Sequence, residues 1–353
     1  MAKKTKTKRI GRSPTARVTI KDVAAAAGVS PMTVSNVLNG KKHEVGKRTQ
    51  SLVEETIARL GYRVQSTGRS LRVSRRQSVG MIIVDTSPSY LADPFTANIV
   101  AGLSNVLSSN DYTLTVQGLR PSQFERAFII RNFVVDGFCV LLSGTSRERS
   151  AITKTLRKLE QPVILIQEAT ATPDGDLCVI RQDDVGGGRM IANHLLARRA
   201  KRFLIVVPKL DWSPMEQRVR GLRQTIKSLE PDAEITLLRS PDEEFDHVQA
   251  MLATHFSKHP LPDAIVGGND RIGIAAMSLL LERGVEIPGK VMVTGFNGFE
   301  FCKYAQPTLT TVVSPAYSIG ERAGELMLAR LKGQPFSTRE IVFPVHFAEG
   351  KST

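Results

Sequence analysis

Residues capable of covalent or metal chemistry are few in this 353-residue chain, and their spacing does not favour such chemistry. His255 and His259 stand four apart, one helical turn, but no acidic motif accompanies them, and a solvated helix end accounts for the pair. Gly186-Gly187-Gly188 offers backbone that could approach a phosphate. It fits neither G-x-G-x-x-G nor a P-loop, because no Gly-Lys-Ser/Thr follows. No nucleophile elbow or pair of catalytic carboxylates is evident. Cys139, Cys178 and Cys302 are odd in number, far apart and set in apolar contexts. They read as buried thiols of a reducing compartment rather than as a disulfide framework or a zinc site. Enzymatic activity, a metal and a cofactor are therefore not expected.

The chemistry that does stand out is hydrogen bonding to a polyanion. Residues 1–76 hold 18 Lys and Arg against 4 Asp and Glu, whereas the remaining residues hold 30 of each. The whole net charge of +14 thus lies in the first fifth of the chain. A solubility device would be spread out, and a module for nucleic acid would be concentrated like this. Within that region Pro31, Met32 and Asn36 have side chains suited to base edges: an amide bonds bidentately to adenine, and apolar groups meet a thymine methyl. Thr19, Thr33, Ser35 and Asn39 carry hydroxyl or amide groups suited to phosphate oxygens, which set register rather than sequence preference.

Those side chains need helices to hold them. Thr19 with Asp22 forms a capping-box pattern that opens a helix through Ala26 or Ala27. Gly28 allows a tight turn, Ser30 can cap a second helix, and Pro31 sits at its first position, where a missing N–H costs nothing. Val23, Ala24 and Ala27 face Val34, Val37 and Leu38 at helical spacing, and Leu52, Val53, Ile57 and Leu60 mark a third helix. Two short helices so joined make a helix-turn-helix, whose second helix enters the major groove.

From Ser78 the pattern changes. Apolar strand-length runs (VGMIIV, YTLTV, GFCVLL, PVILI) alternate with helical segments, including one around Arg126. A second series follows (RFLIVV, EITLL, DAIVGG, KVMVTGF). Repeated β–α alternation predicts parallel sheets covered by helices, here two doubly wound subdomains with a ligand cleft at the strand C-termini. No run of about 18 apolar residues is present, so no membrane span is expected. The basic N-terminus lacks a following apolar segment and does not read as a secretory signal. The expectation is a cytoplasmic, nucleoid-associated protein.

Thr19-Ile20, Asp22-Val23-Ala24, Ala27-Gly28-Val29-Ser30, Thr33-Val34-Ser35 and Val37-Leu38-Asn39 resemble the headpiece of the LacI/GalR repressor family. Asp93-Pro94-Phe95, Asp183-Asp184 with Gly187-Gly188-Arg189, Asn269-Asp270, Gly295-Phe296-Asn297 and Pro307-Thr308-Leu309-Thr310-Thr311 resemble landmarks of its periplasmic-binding-protein-like type I sensor. The resemblance implies a basic arm over 1–17, a headpiece over 18–62, a hinge over 63–76 and a sensing and dimerising domain over 77–353. Within that domain it implies subdomains of roughly 77–178 plus 310–333, and 179–309 plus 334–353. DNA contacts would come from Thr19, Ile20, Pro31, Met32, Thr33, Ser35, Asn36 and Asn39. Leu71, in a stretch resembling the family hinge, would be the wedge that kinks the minor groove. Gly68 departs from the hinge's usual Ala and costs a helix roughly 1 kcal/mol.

For the effector, the resemblance implies Asp85, Phe95, Gln167, Arg218, Asn269, Phe296 and Asn297, with Tyr90 on one wall. Arg218 would fix ligand oxygens with its planar fork. Gln167 and Asn297 stand where relatives often have acids, which favours a sugar acid, carboxylate or phosphate over a neutral sugar. Trp212 has two readings, ligand stacking and simple packing; Asp183 likewise reads as a ligand contact or a helix cap. The implied protein is an effector-responsive transcriptional regulator, expected to repress and to bind pseudo-palindromic operator DNA as a homodimer. The C-terminus shows no leucine-heptad extension, which favours a dimer over a tetramer. The alternatives are an effector-independent DNA-binding protein and a solute-binding protein.

Overall fold

The computed structural model describes residues 18–38, 41, 44–62, 76–87, 90–168 and 175–353. The expected arm over 1–17, Asn39, and the hinge stretch 63–75 with Leu71 lie outside the described residues. The chain divides between residues 75 and 76 into two units.

Among its described residues the first unit contains three α-helices, α1 (Ile20–Ala27), α2 (Pro31–Leu38) and α3 (Lys47–Leu60). A reciprocal cap starts α1. The Thr19 N–H donates to Asp22 Oδ2 at 2.9 Å, and the Asp22 N–H donates to Thr19 Oγ1 at 3.4 Å. Such a cap is worth about 1 kcal/mol to a helix this short. Gly28 takes φ 66°, left-handed backbone that a Cβ would penalise, and turns the chain into Ser30. There the Thr33 N–H donates to Ser30 Oγ at 3.1 Å. Val23, Ala24, Ala27, Val34, Val37 and Val53 close a small core under these caps.

The second unit holds two parallel sheets. The first comprises β1 (Ser78–Val84), β2 (Thr113–Leu119), β3 (Gly137–Leu142), β4 (Val163–Ile166), β5 (Leu177–Gln182) and β11 (Glu340–Phe343), in the order β11-β5-β4-β3-β1-β2. Its register is set by pairs such as Val79↔Gly137 and Val79↔Leu114. The second comprises β6 (Arg202–Pro208), β7 (Glu234–Ser240), β8 (Ala264–Gly267) and β9 (Met292–Thr294), in the order β7-β6-β8-β9. Residues β10 (Thr311–Val313) and β12 (His346–Ala348) form a separate antiparallel pair. Every residue of β1, β3, β4 and β8 is buried, as expected where helices cover both faces.

Three details differ from the sequence expectation. The periodicity around Arg126 predicts a helix, but the chain there makes a 3-10 turn over Pro121–Arg126 and one α turn, Phe128–Arg131. Pro121 and the exposed Phe128 leave too short an amphipathic stretch for more. Residues 334–353 are expected wholly in the second subdomain, yet β11 pairs with β5 on the edge of the first sheet. Strand β5 itself extends to Gln182 within the first sheet, and β10 bridges to Thr294 beside the second through Thr310. The chain therefore crosses between lobes near 183, 314 and 344. Arg76, expected in the hinge, is anchored to the first lobe by an N–H bond to Asp136 Oδ1 at 2.7 Å.

The run Gly186-Gly187-Gly188 lies inside a helix, α7 (Asp184–Ala197), not in a phosphate loop. Its partner is α8 (Ser213–Leu229). A Cβ on Gly188 would lie 2.4 Å from the Arg218 carbonyl oxygen, and one on Gly221 would lie 2.2 Å from that of Val185. The two backbones are thus in direct contact. The first lobe repeats the device between α4 (Pro94–Ser108) and α11 (Ala316–Leu331), with Gly102 against the Tyr317 carbonyl and Gly320 against that of Ile99. Gly188→Ala should lower thermal stability of the full chain, with overpacking costing about 1–3 kcal/mol. Differential scanning calorimetry checks this, and an unchanged melting temperature would mean the seam can open without cost.

Candidate functional site

In the first unit the outer side of α2 presents Pro31 and Met32 to solvent, with Met32 59% exposed. Thr33, Ser35 and Asn36 are half-buried. Asn36 is already engaged: its Nδ2 donates to Glu44 Oε2 at 2.8 Å. Reading an adenine would require exchanging that partner. Thr19 is exposed, but its hydroxyl and N–H both serve the α1 cap. Ile20 is half-buried and packs on the headpiece core.

In the second unit the loops at the C-terminal ends of both sheets enclose a cavity of about 500 Å³. This lies within the usual range for small-ligand sites, roughly 300–1,000 Å³. Asp85, Tyr90, Asp93 and Ser143 come from the first lobe, and Trp212, Glu243, Asn269, Arg271 and Asn297 from the second. Of the expected effector residues, Asp85, Asn269 and Asn297 line this cavity, together with Tyr90 and Trp212. The Tyr90 ring rests against Gly118, where a Cβ would come within 2.1 Å of it. Trp212 meets Phe95 edge-on at 5.9 Å between ring centroids. Asp183 caps α7, its Oδ1 accepting from the Gly186 N–H at 2.8 Å, which is the second of its two readings.

Phe95, Gln167, Arg218 and Phe296 lie behind the lining, fully buried. Arg218 donates through Nε to Asp184 Oδ1 at 2.8 Å, through Nη1 to the Gly268 carbonyl at 2.7 Å and through Nη2 to Asn297 Oδ1 at 3.1 Å. Its guanidinium sits 3.8 Å above the Phe296 ring. The network continues outward. Gln182 Nε2 donates to Asp184 Oδ1 at 2.8 Å, and the Gln182 N–H donates to Gln167 Oε1 at the same distance. On the other side Ser314 Oγ donates to Asn297 Oδ1 at 3.1 Å. Gln167 and Asn297 hold φ of 64° and 112°, left-handed values uncommon for non-glycine residues and often found at functional sites.

The charges around the cavity are arranged as follows. Arg218 is paired with Asp184 behind the cavity surface. Arg271 is paired with Glu244 at 3.7 Å. The rim is acidic: Asp85, Asp93, Asp242, Glu243 and Glu244 all line the cavity. Asp93 is committed to capping α4, accepting from the Phe95 and Thr96 N–H groups. Burial raises the Asp85 carboxyl above its ordinary value, against hydrogen bonds from the Ser87 and Thr86 backbone. Burial also pushes Glu243 up to about 7, aided by the Asp93 carboxylate across the cleft and opposed by the Asn269 amide. Glu243 belongs to none of the motifs that mark the other expected effector residues. The acidic run Asp242-Glu243-Glu244 directly after the EITLL strand was the available signal.

Among the described residues no helix is long and apolar enough to cross a membrane, and no group of three or more His, Cys, Asp or Glu is placed to hold a metal. The rings of His255 and His259 stack on each other at 4.6 Å.

A helix-turn-helix unit joined to a two-lobed α/β unit with a ligand-sized cleft defines a ligand-sensing DNA-binding regulator. Residues 19–65 match the model of bacterial regulatory proteins of the lacI family, and residues 192–353 match the periplasmic binding protein-like domain. The chain is 26% identical over 332 residues to the HTH-type transcriptional regulator CelR of Thermobifida fusca, covering 94% of this chain and 96% of that protein. It is 27% identical over 321 residues to the ribose operon repressor of Escherichia coli K12, covering 89% and 93%. The structure of a lac repressor dimer bound to operator and the anti-inducer ONPF superposes with a TM-score of 0.80 at 21% identity, covering 96% and 99%. The CelR–cellobiose complex superposes at 0.69 and 24%, covering 96% and 100%. The chain belongs to the LacI/GalR family of transcriptional regulators, with a helix-turn-helix headpiece and a periplasmic-binding-protein-like sensor. Family membership, rather than the lack of a metal cluster, marks it as a regulator and not an enzyme.

The raised Glu243 carboxyl has a thermodynamic consequence. A group held above its ordinary value of 4.5 keeps its proton longer in the folded chain. Its contribution to stability is complete below 4.5 and is lost as pH rises through about 7. The stability of the wild type relative to Glu243→Gln should therefore decline between about pH 5 and pH 8. Melting curves of both proteins across that range check the sign, and a difference that grows with pH would refute it.

Proposed function

We propose that this protein is a repressor that binds pseudo-palindromic operator DNA as a two-fold homodimer. Its operator affinity is changed by a small polyhydroxylated effector without negative charge, held in the cleft between the sensor lobes. The observation that carries this reading is the cavity itself. Carboxylates and amides from both lobes surround an aromatic wall, and both nearby guanidiniums are already paired. Carboxylates accept hydrogen bonds from hydroxyls, and Trp212 and Tyr90 offer faces for a sugar-like ring. A second carboxylate or a phosphate in such a rim would meet like charge in a partly desolvated space. Repression is carried over from relatives named as repressors, including the ribose operon repressor and PurR of Vibrio atlanticus.

Pro31, Met32, Thr33, Ser35 and Asn36 supply the DNA-facing side of α2, and Asn39 and Leu71 complete the proposed contacts. Two headpieces in one dimer read two half-sites, since a single short helix buries too little surface for a tight site. Regulation requires only that effector bind the open and closed arrangements of the sensor unequally, with coupling of about 1–3 kcal/mol.

Two experiments test the halves separately. Selection from random DNA should enrich a palindromic site for the wild type. Asn36→Ala should then lose about 1–3 kcal/mol at that site while non-specific affinity stays nearly constant. Equal loss on all sequences would remove Asn36 from base reading. Trp212 is the one tryptophan of the chain, so its fluorescence reports on the cleft alone. A panel of neutral sugars and their carboxylated or phosphorylated counterparts should give saturable changes with the neutral members. Tighter binding of the anionic members would overturn the ligand class.

A further inference from the structure

Beside the cavity, outside its lining, one cation is shared between the two lobes. Arg149 lies on α6 (Ser146–Leu156) of the first lobe, and its side chain is 2% exposed. Its Nε faces Glu168 Oε2 at 2.9 Å, and Glu168, after β4, is equally buried. Its Nη1 donates to the Gly144 carbonyl at 2.6 Å. Its Nη2 reaches across to Glu216 Oε2 at 3.2 Å, in the first turn of α8 on the second lobe. The Glu216 side chain is 39% exposed.

The two carboxylates are unequal partners. Glu168 is buried with Arg149 inside one lobe, so separating that pair would strand a charge without water, which is strongly unfavourable. Glu216 approaches from the other lobe and keeps access to solvent. When the lobes part, Glu216 regains water while Arg149 keeps Glu168 and the Gly144 carbonyl, so no charge is left bare. The contact is made to release.

Its neighbours cross the same boundary. The Gly144 N–H donates to the Asp211 carbonyl at 2.8 Å, and Phe95 meets Trp212. Asp211, Trp212 and Glu216 belong to one segment, the junction of β6 with α8. That segment also supplies Leu210 and Trp212 to the cavity wall. A ligand against Trp212 therefore touches the piece of chain that carries the cross-lobe contacts.

We propose that Arg149 and Glu216 form a releasable latch that favours the closed sensor without touching the effector. Glu216 is its moving arm and Arg149, held by Glu168, its fixed one. The proposal rests on the reading of the cleft as the sensor's moving joint, but not on any particular effector.

The test is made on the full-length protein without effector. Cys139, Cys178 and Cys302 are buried, so dyes can be directed to Lys158→Cys on the first lobe and Lys290→Cys on the second. Excess unlabelled protein keeps one labelled protomer per dimer. Single-molecule energy transfer should show Glu216→Gln shifted toward the open distance, with the closed-to-open ratio reduced about two- to fivefold, the range of a partly exposed ion pair. High salt should narrow the difference between wild type and Glu216→Gln. Glu216→Asp, which keeps the charge, should recover part of the shift; a merely structural residue would show no such charge and salt dependence. Identical distance distributions for wild type and Glu216→Gln at both salt levels would overturn the latch. A single, invariant distance in the wild type under every ligand and salt condition would instead overturn the moving-joint reading.

Discussion

Arg218 brings a positive charge to a place where water cannot follow, and the sensor is organised around neutralising it. Removing a guanidinium from solvent is costly unless its donors are satisfied and an opposite charge is adjacent. Asp184 supplies that charge, the Gly268 carbonyl and the Asn297 amide oxygen take two further donors, and Phe296 receives the flat face. These partners come from three separate stretches of chain. Satisfying one cation therefore fixes the start of α7, the turn after β8 and the loop after β9 relative to α8. The direct backbone contacts at Gly188 and Gly221 are what let α7 and α8 approach closely enough for Asp184 and Arg218 to meet.

The same network reaches the crossing segments. Gln182, Asp184 and Ser314 belong to two of the three places where the chain passes between lobes, and the Asp183 N–H donates to the Phe343 carbonyl, joining the first crossing to the third. A rigid, hydrogen-bonded hinge thus lies behind a cleft whose opposite rim is closed by contacts that remain partly hydrated. Tight polar order on one side with exchangeable contacts on the other is a physical arrangement suited to rotation of one lobe against the other. Like-charged groups face each other in the cleft, Asp93 and Glu243 above all.

Much of this was legible in the residues. The capping pattern at Thr19 and Asp22, the turn at Gly28 and the cap at Ser30 are local, and each appears where sequence spacing places it. The buried strands β1, β3 and β6 announce themselves as unbroken apolar runs. The strands β5, β11 and β12 did not, because charged or polar residues break their short apolar runs, as Arg181 and Gln182 do in β5 and Glu340 does in β11. The helix expected around Arg126 is cut to single turns by Pro121 and the exposed Phe128, which leave too short an amphipathic stretch.

Residue types and spacing by themselves determined the two-part architecture, the helix-turn-helix and the concentration of positive charge on it, because these follow from short-range hydrogen bonding, helical periodicity and simple counting. They also determined the family, through motifs spread along nearly the whole chain. Only the tertiary structure decided which polar side chains face the cleft. Arg218 looks like a ligand contact in one dimension, but whether a guanidinium is free depends on the charge packed against it, and Asp184 lies thirty-four residues away in sequence and 2.8 Å away in space. Glu243, Arg149 and Glu216 were ordinary charges until folding set their distances and removed their water, the two quantities on which every electrostatic interaction depends.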